Sequence, residues 1–156
     1  MRKVLIFCML GCVGMMAANA RQHQLRSFNE LLPALRKGAE VRAVIEYAQC
    51  KLIADSVETK SPDAIGGLSL STFEYFSIMS VRNPKAFISS SQTVLISHPR
   101  YGHVLNYVKL KIYDDNNVEI TARYLSPTTY QIVMDETFYG SISSGNDNKA
   151  VYLFEH

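Results

Sequence analysis

Three kinds of hydrophobic spacing follow one another along this chain. Val4 to Met16 form an almost unbroken apolar run. Phe28, Leu31, Leu32 and Leu35 then recur at helical spacing. From Val41 onward the period falls to two, with Val41, Ala43, Ile45 and Tyr47 on one face and Arg42, Val44 and Glu46 on the other. A period near 3.6 predicts an amphipathic helix, and a period of two predicts a strand with a buried face. Ser27 and Glu30 make a capping box ahead of the helical set, Arg36 and Lys37 suit the negative end of its dipole, and Gly38 is free to take the left-handed position that ends it. These signals predict a helix over Phe28 to Lys37, with Pro33 as a blemish that costs one backbone hydrogen bond.

Beyond the first strand the chain reads as short strands between polar turns. Ala54 to Gly67 is charged and contains Ser, Pro and Gly, which predicts a connecting loop. Ser69 to Val81 holds one or two strands, and Asn83-Pro84 marks a turn. Ala86 to Ile88 and Thr93 to Ser97 are expected as short strands around a serine-rich bend, followed by a loop from His98 to His103. Val104 to Tyr113 and Val118 to Leu125 flank the turn Asp114-Asp115-Asn116-Asn117, where Asn and Asp tolerate left-handed backbone. Tyr130 to Met134 begins a third strand, Ser143 to Lys149 is a polar turn, and Ala150 to Phe154 closes the chain. With no helix after each strand, the pattern predicts an antiparallel meander and argues against a parallel βαβ sheet. The expected fold class is α+β: a short N-terminal helix plus a curved antiparallel β-sheet of six to eight strands, or a small β-barrel that hides its edges.

The first apolar run concerns address. Arg2 and Lys3 precede it, and Ala18-Asn19-Ala20 supplies the small-residue pattern of a cleavage site, so residues 1–20 read as a secretory signal peptide and 21–156 as one β-rich domain. The run is short for a membrane span. A lipoprotein site at Cys12 is the weaker alternative, because Met9 stands where Leu is usual. The expected localisation is export, to a periplasm or outside the cell. Export also changes the charge. Sixteen bases and fourteen acids become balanced once Arg2 and Lys3 are removed, and this neutrality gives no support to a nucleic-acid partner.

Removal of Cys8 and Cys12 with the leader leaves Cys50 as the single thiol, so an internal disulfide is excluded. The bland expectation for Cys50 is burial, with an exposed reactive thiol beside Lys51 as the alternative. His98 and His103 flank a tight turn that also carries Tyr101, and two imidazoles facing each other would need a third ligand, such as Asp114 or Glu119, to hold Zn²⁺ or Cu²⁺. Cys50 with either His would make a nucleophile and base. The spacing matches no established metal motif, and no phosphate-binding, dinucleotide, nucleophile-elbow or calcium-loop pattern occurs, so no catalytic residue, metal or cofactor is assigned. Tyr75, Tyr101, Tyr107, Tyr113, Tyr124 and Tyr130, with Phe73 and Phe76, offer amphipathic rings that suit either sheet packing or a binding surface.

Two stretches carry a family resemblance. Ser27 to Gly38 followed by Val41 to Ile45 and Cys50, and later Val118 to Tyr130, resemble the VirK-like family over most of the chain from Ser27 onward. The resemblance implies a small exported, mainly bacterial protein named from a virulence-induced gene, and a host- or envelope-interaction context. It implies no reaction, cofactor or catalytic residue. The leading functional expectation is therefore an exported, non-catalytic binding factor for a protein, a glycan or a small apolar ligand. A secretion or folding accessory, which would present a free edge strand or groove, comes second. A small hydrolase or metal-dependent enzyme using Cys50 or His98 and His103 comes third.

Overall fold

A computed structural model describes residues 23–54 and 56–156, so the expected leader lies outside the described residues. The elements are β1 (His23–Leu25), α1 (Phe28–Arg36), β2 (Val41–Glu46), a single 3₁₀ turn (Tyr47–Gln49), β3 (Lys51–Ala54), β4 (Val57–Thr59), β5 (Ile65–Ser69), β6 (Glu74–Phe76), β7 (Phe87–His98), β8 (Gly102–Tyr113), β9 (Asn117–Leu125), β10 (Ile132–Ser141) and β11 (Val151–Glu155). The helix starts and stops where its caps predict. Ser27 is extended and its hydroxyl accepts the Glu30 N–H at 3.3 Å, while the Glu30 carboxylate accepts the Arg26 N–H at 2.6 Å. Gly38 closes the far end at φ +81°. Pro33 is accommodated inside the helix because Phe28, Leu31, Ala34 and Leu35 bury one face in the core.

The strands form two antiparallel sheets, not one. A four-stranded sheet has the order β1-β11-β2-β5, and a seven-stranded sheet has the order β4-β3-β10-β9-β8-β7-β6. This corrects the expected fold: neither sheet closes into a barrel, and with a single nine-residue helix the chain is predominantly β. Alternation says that a face is buried but not what covers it. Here the apolar faces of β2 and β11 cover the meander, so closure is unnecessary. Val41, Ala43, Ile45, Val151 and Leu153 from the small sheet share one core with Leu110, Ile112, Val118, Ile120 and Phe138 from the large one, and α1 adds Phe28, Leu31, Ala34 and Leu35.

Strands also appear where polar composition predicts loops. Val57–Thr59 pairs with β3 as an edge strand, with Lys51 and Glu58 in an ion pair at 2.6 Å. The expected serine-rich bend is instead the middle of the continuous β7, because Ser90 faces inward and its hydroxyl donates to the Thr72 carbonyl at 2.7 Å. Gly66 belongs to β5 and not to a loop: a Cβ there would lie 2.8 Å from the Tyr47 ring, so only glycine lets the strand approach.

Candidate functional site

The register of the large sheet lays its inner face out in rows that cross the strands. Ser90, Leu110, Ile120, Phe138 and Leu52 form one row, all buried beneath the small sheet. The next is Gln92, Val108, Ala122, Glu136 and Ala54. The third is Val94, Asn106, Tyr124 and Met134, where the regular β9–β10 register ends, since the pairing shifts between Met134 and Ile132. The large sheet extends past the small one here, and Val94 on this inner face is 48 % exposed. The overhang leaves a cleft of about 370 Å³. Its wall is β5 with Tyr47 and Ala64, and its floor is Asn106, Val108, Ala122, Tyr124, Met134, Glu136 and Phe138.

Glu136 stands at one end of this cleft. Burial pushes its carboxyl above the ordinary value, and it has no ion-pair partner among the described residues. Burial also pushes the Tyr47 phenol up to about 12 and raises that of Tyr124, where Glu136 and Tyr101 add to the effect. Tyr47 is fixed by its ring against Phe138, with centroids 4.7 Å apart. The site therefore offers an acid poorly compensated by its surroundings, two phenols, the Asn106 amide and an apolar floor. Such a set suits a ligand with an apolar body and a cationic or N–H donor group. Neither His nor Cys lines the cleft.

The sequence candidates fall around it unevenly. His98 and Tyr101 come together with Tyr124 in an aromatic cluster, with His98 centroids 4.9 Å from Tyr101 and 5.0 Å from Tyr124, and 5.8 Å between the two tyrosines. They buttress the Tyr124 side of the cleft. His98 Nδ1 accepts the N–H groups of Arg100 and Tyr101, so it holds the β7–β8 turn. His103 pairs with Ser97, the neighbour of His98, and strand alternation therefore puts it on the opposite face of the sheet. The two imidazoles do not converge, and no group of three His, Cys, Asp or Glu side chains able to hold a metal occurs among the described residues.

Cys50 is 8 % exposed, donates weakly to the Glu46 carbonyl, and has its thiol pushed up to about 11 by burial. It sits near Gly140, at the end of the sheet remote from His98. The cleft's most distinctive residue, Glu136, lies just beyond Tyr130 to Met134, where the sequence marks only the beginning of the third strand. Carried on, alternation shows an acid between inward Met134 and Phe138, which is the available signal.

No helix among the described residues is long and apolar enough to cross a membrane. Among curated proteins, none matches the chain with significance. The crystal structure of a VirK family protein from Legionella pneumophila is similar in fold, with a TM-score of 0.63 at 13% identity over 84% of this chain and 98% of that one. The family model described as VirK protein matches residues 24–130, which takes in both sequence stretches that carry the resemblance, and on that match this chain belongs to the VirK family.

Proposed function

We propose that this VirK family protein is an exported, non-catalytic binding factor whose ligand site is the cleft between the two sheets. The observation that carries this reading is Glu136: a carboxyl in a tyrosine-walled cleft with no ion-pair partner among the described residues. A half-buried charge without a partner is poorly solvated, and a ligand that brings a cationic N–H group relieves that cost. Tyr47 and Tyr124 add ring faces that favour both an apolar body and a cation. Export rests on the leader pattern of residues 1–20. The thiol of Cys50, held protonated, and the divergence of His98 from His103 favour binding over the hydrolase alternative.

The test is a titration with phenethylammonium, followed by backbone amide NMR, against the neutral analogue phenethyl alcohol. Saturable shifts centred on Tyr47, Tyr124 and Glu136 are expected for the cation. A hydrogen bond to a charged group is worth about 1.5–3 kcal/mol, so Glu136→Gln should weaken the ammonium about tenfold or more and leave the alcohol unchanged. Absence of saturable binding, or equal binding to both proteins, overturns the proposal.

A further inference from the structure

We infer that the occupant of the cleft is an extended polypeptide segment that adds to β5 as a fifth strand of the small sheet and directs a Lys or Arg side chain toward Glu136. This rests on the reading of the Glu136 cleft as a site for a cationic donor.

The edge of β5 is available. It is the last strand of its sheet, and its hydrogen bonds to β2 alternate. The Leu70 N–H donates to the Val41 carbonyl at 2.8 Å, and the Ala64 carbonyl accepts the Tyr47 N–H at 3.0 Å. Even-numbered residues therefore face β2, and Ile65, Gly67 and Ser69 turn their N–H and C=O groups outward. Such a row is a template for another strand, and proteins normally protect it with charge or proline. The other edges are protected in this way: Glu58 of β4 pairs with Lys51, β6 carries Glu74, and in β1 His23 lies 3.6 Å from Glu155. Ile65-Gly66-Gly67-Leu68-Ser69 has neither charge nor proline, and Ile65 is 74 % exposed.

The floor fits a strand laid along this edge. Ile65 and Gly66 border the Tyr47 and Glu136 end of the cleft, while Gly67 and Ser69 share a second hollow with Arg42 and with Gln92, which stands at the β7 end of the same row. A segment beside β5 thus passes from Glu136 over Ala122 and Val108 to Gln92, which asks for a cation, small apolar groups and a polar group in turn. Main-chain pairing supplies affinity and the alternate side chains supply selectivity. Five residues of strand span roughly 17 Å, so a heptapeptide is long enough.

The probe is an array of acetylated, amidated heptapeptides of alternating threonine and valine, with one lysine moved through every position. The best peptide should bind saturably, with amide shifts and slowed hydrogen exchange at Ile65, Gly67 and Ser69. N-methylation of its amides that face β5 should cost at least tenfold in affinity, and N-methylation of the other amides little. Replacing its lysine by norleucine should weaken binding about fivefold to the natural protein and not at all to Glu136→Gln. If phenethylammonium binds but no peptide does, or if N-methylation has no effect, strand addition is wrong while the cleft reading survives. If neither binds, both fail. Concentration-dependent dimerisation that protects the same amides without peptide also overturns the inference, by giving the edge to a second copy.

Discussion

Gly140→Ala is the sharpest test of how the two sheets meet. Gly140 lies on β10 opposite Val118, and an added Cβ would fall 2.7 Å from the Ala150 Cβ and 3.4 Å from Cys50 Sγ. Ala150 is 1 % exposed, and its carbonyl accepts the Glu46 N–H at 2.8 Å, so it cannot simply move away. Ordinary carbon–carbon contacts lie near 3.5–4.0 Å, so the two methyl groups must separate by about 1 Å. Overpacking of this kind costs about 1–3 kcal/mol. The lower entropy of an unfolded Ala returns about 0.4–1 kcal/mol of that. A net loss of about 1 kcal/mol is expected, seen in urea unfolding as a midpoint lowered by about 0.5 M at an unchanged slope. Ala150→Gly in the same protein should restore the space, leaving a favourable coupling of about 1 kcal/mol in the double-mutant cycle. A neutral or stabilised Gly140→Ala, or a double variant no better than the sum of the singles, would refute the close contact between the sheets.

Four further outcomes rest on the same structure. The raised carboxyl of Glu136 favours the protonated form in the folded state, so its contribution is complete below about pH 4 and is lost as pH rises through the folded value. Glu136→Gln should therefore melt higher than the natural protein at pH 7 and lose this advantage as pH falls below about 4; a lower melting temperature at pH 7 counts against the uncompensated carboxyl. The Cys50 thiol, at about 11, should react with iodoacetamide at pH 8 at least a hundredfold more slowly in the folded protein than in urea, and labelling at the unfolded rate would show that it is open. Its ionisation should also cost stability progressively from about pH 8.5, the ordinary thiol value, up through pH 11. Asn116, at φ +67°, accepts the first helical N–H of Phe28 at 2.7 Å, so Asn116→Ala should cost about 2 kcal/mol, Asn116→Gly less and Asn116→Asp least. Thermal melts that rank Asp beside Ala would mean that this hydrogen bond does not hold the helix to the turn.

Features that close within a few residues were legible in advance. Ser27, Glu30 and Gly38 bound the helix because capping hydrogen bonds and left-handed φ are local matters. The turn at Asp114 to Asn117 and the alternation of Val41 to Ile45 and Val104 to Tyr113 were equally plain, and they define an antiparallel meander whatever lies above it. The family resemblance, too, was carried by residue order alone and agrees with the match over residues 24–130.

What lies above the meander was decided only in three dimensions. β2 pairs with β11 across more than a hundred residues, and no local preference records that pairing. It divides the strands into two sheets, leaves the inner rows of the larger one overhanging the smaller, and so creates the cleft. Glu136 becomes a site residue because β10 runs on past Met134 and because burial, a property of the assembled sheets, acts on its carboxyl. His98 and His103 stand close together in the chain but on opposite faces of the sheet, since His103 pairs with Ser97 and alternation sends the neighbouring positions Ser97 and His98 to opposite faces. The sequence by itself thus determined the family, the helix and the strand-and-turn rhythm, whose interactions span a few residues. The tertiary structure alone decided which faces meet, which edge stays open and which acid is drawn into the cleft between the sheets, because those depend on contacts between segments far apart in the chain.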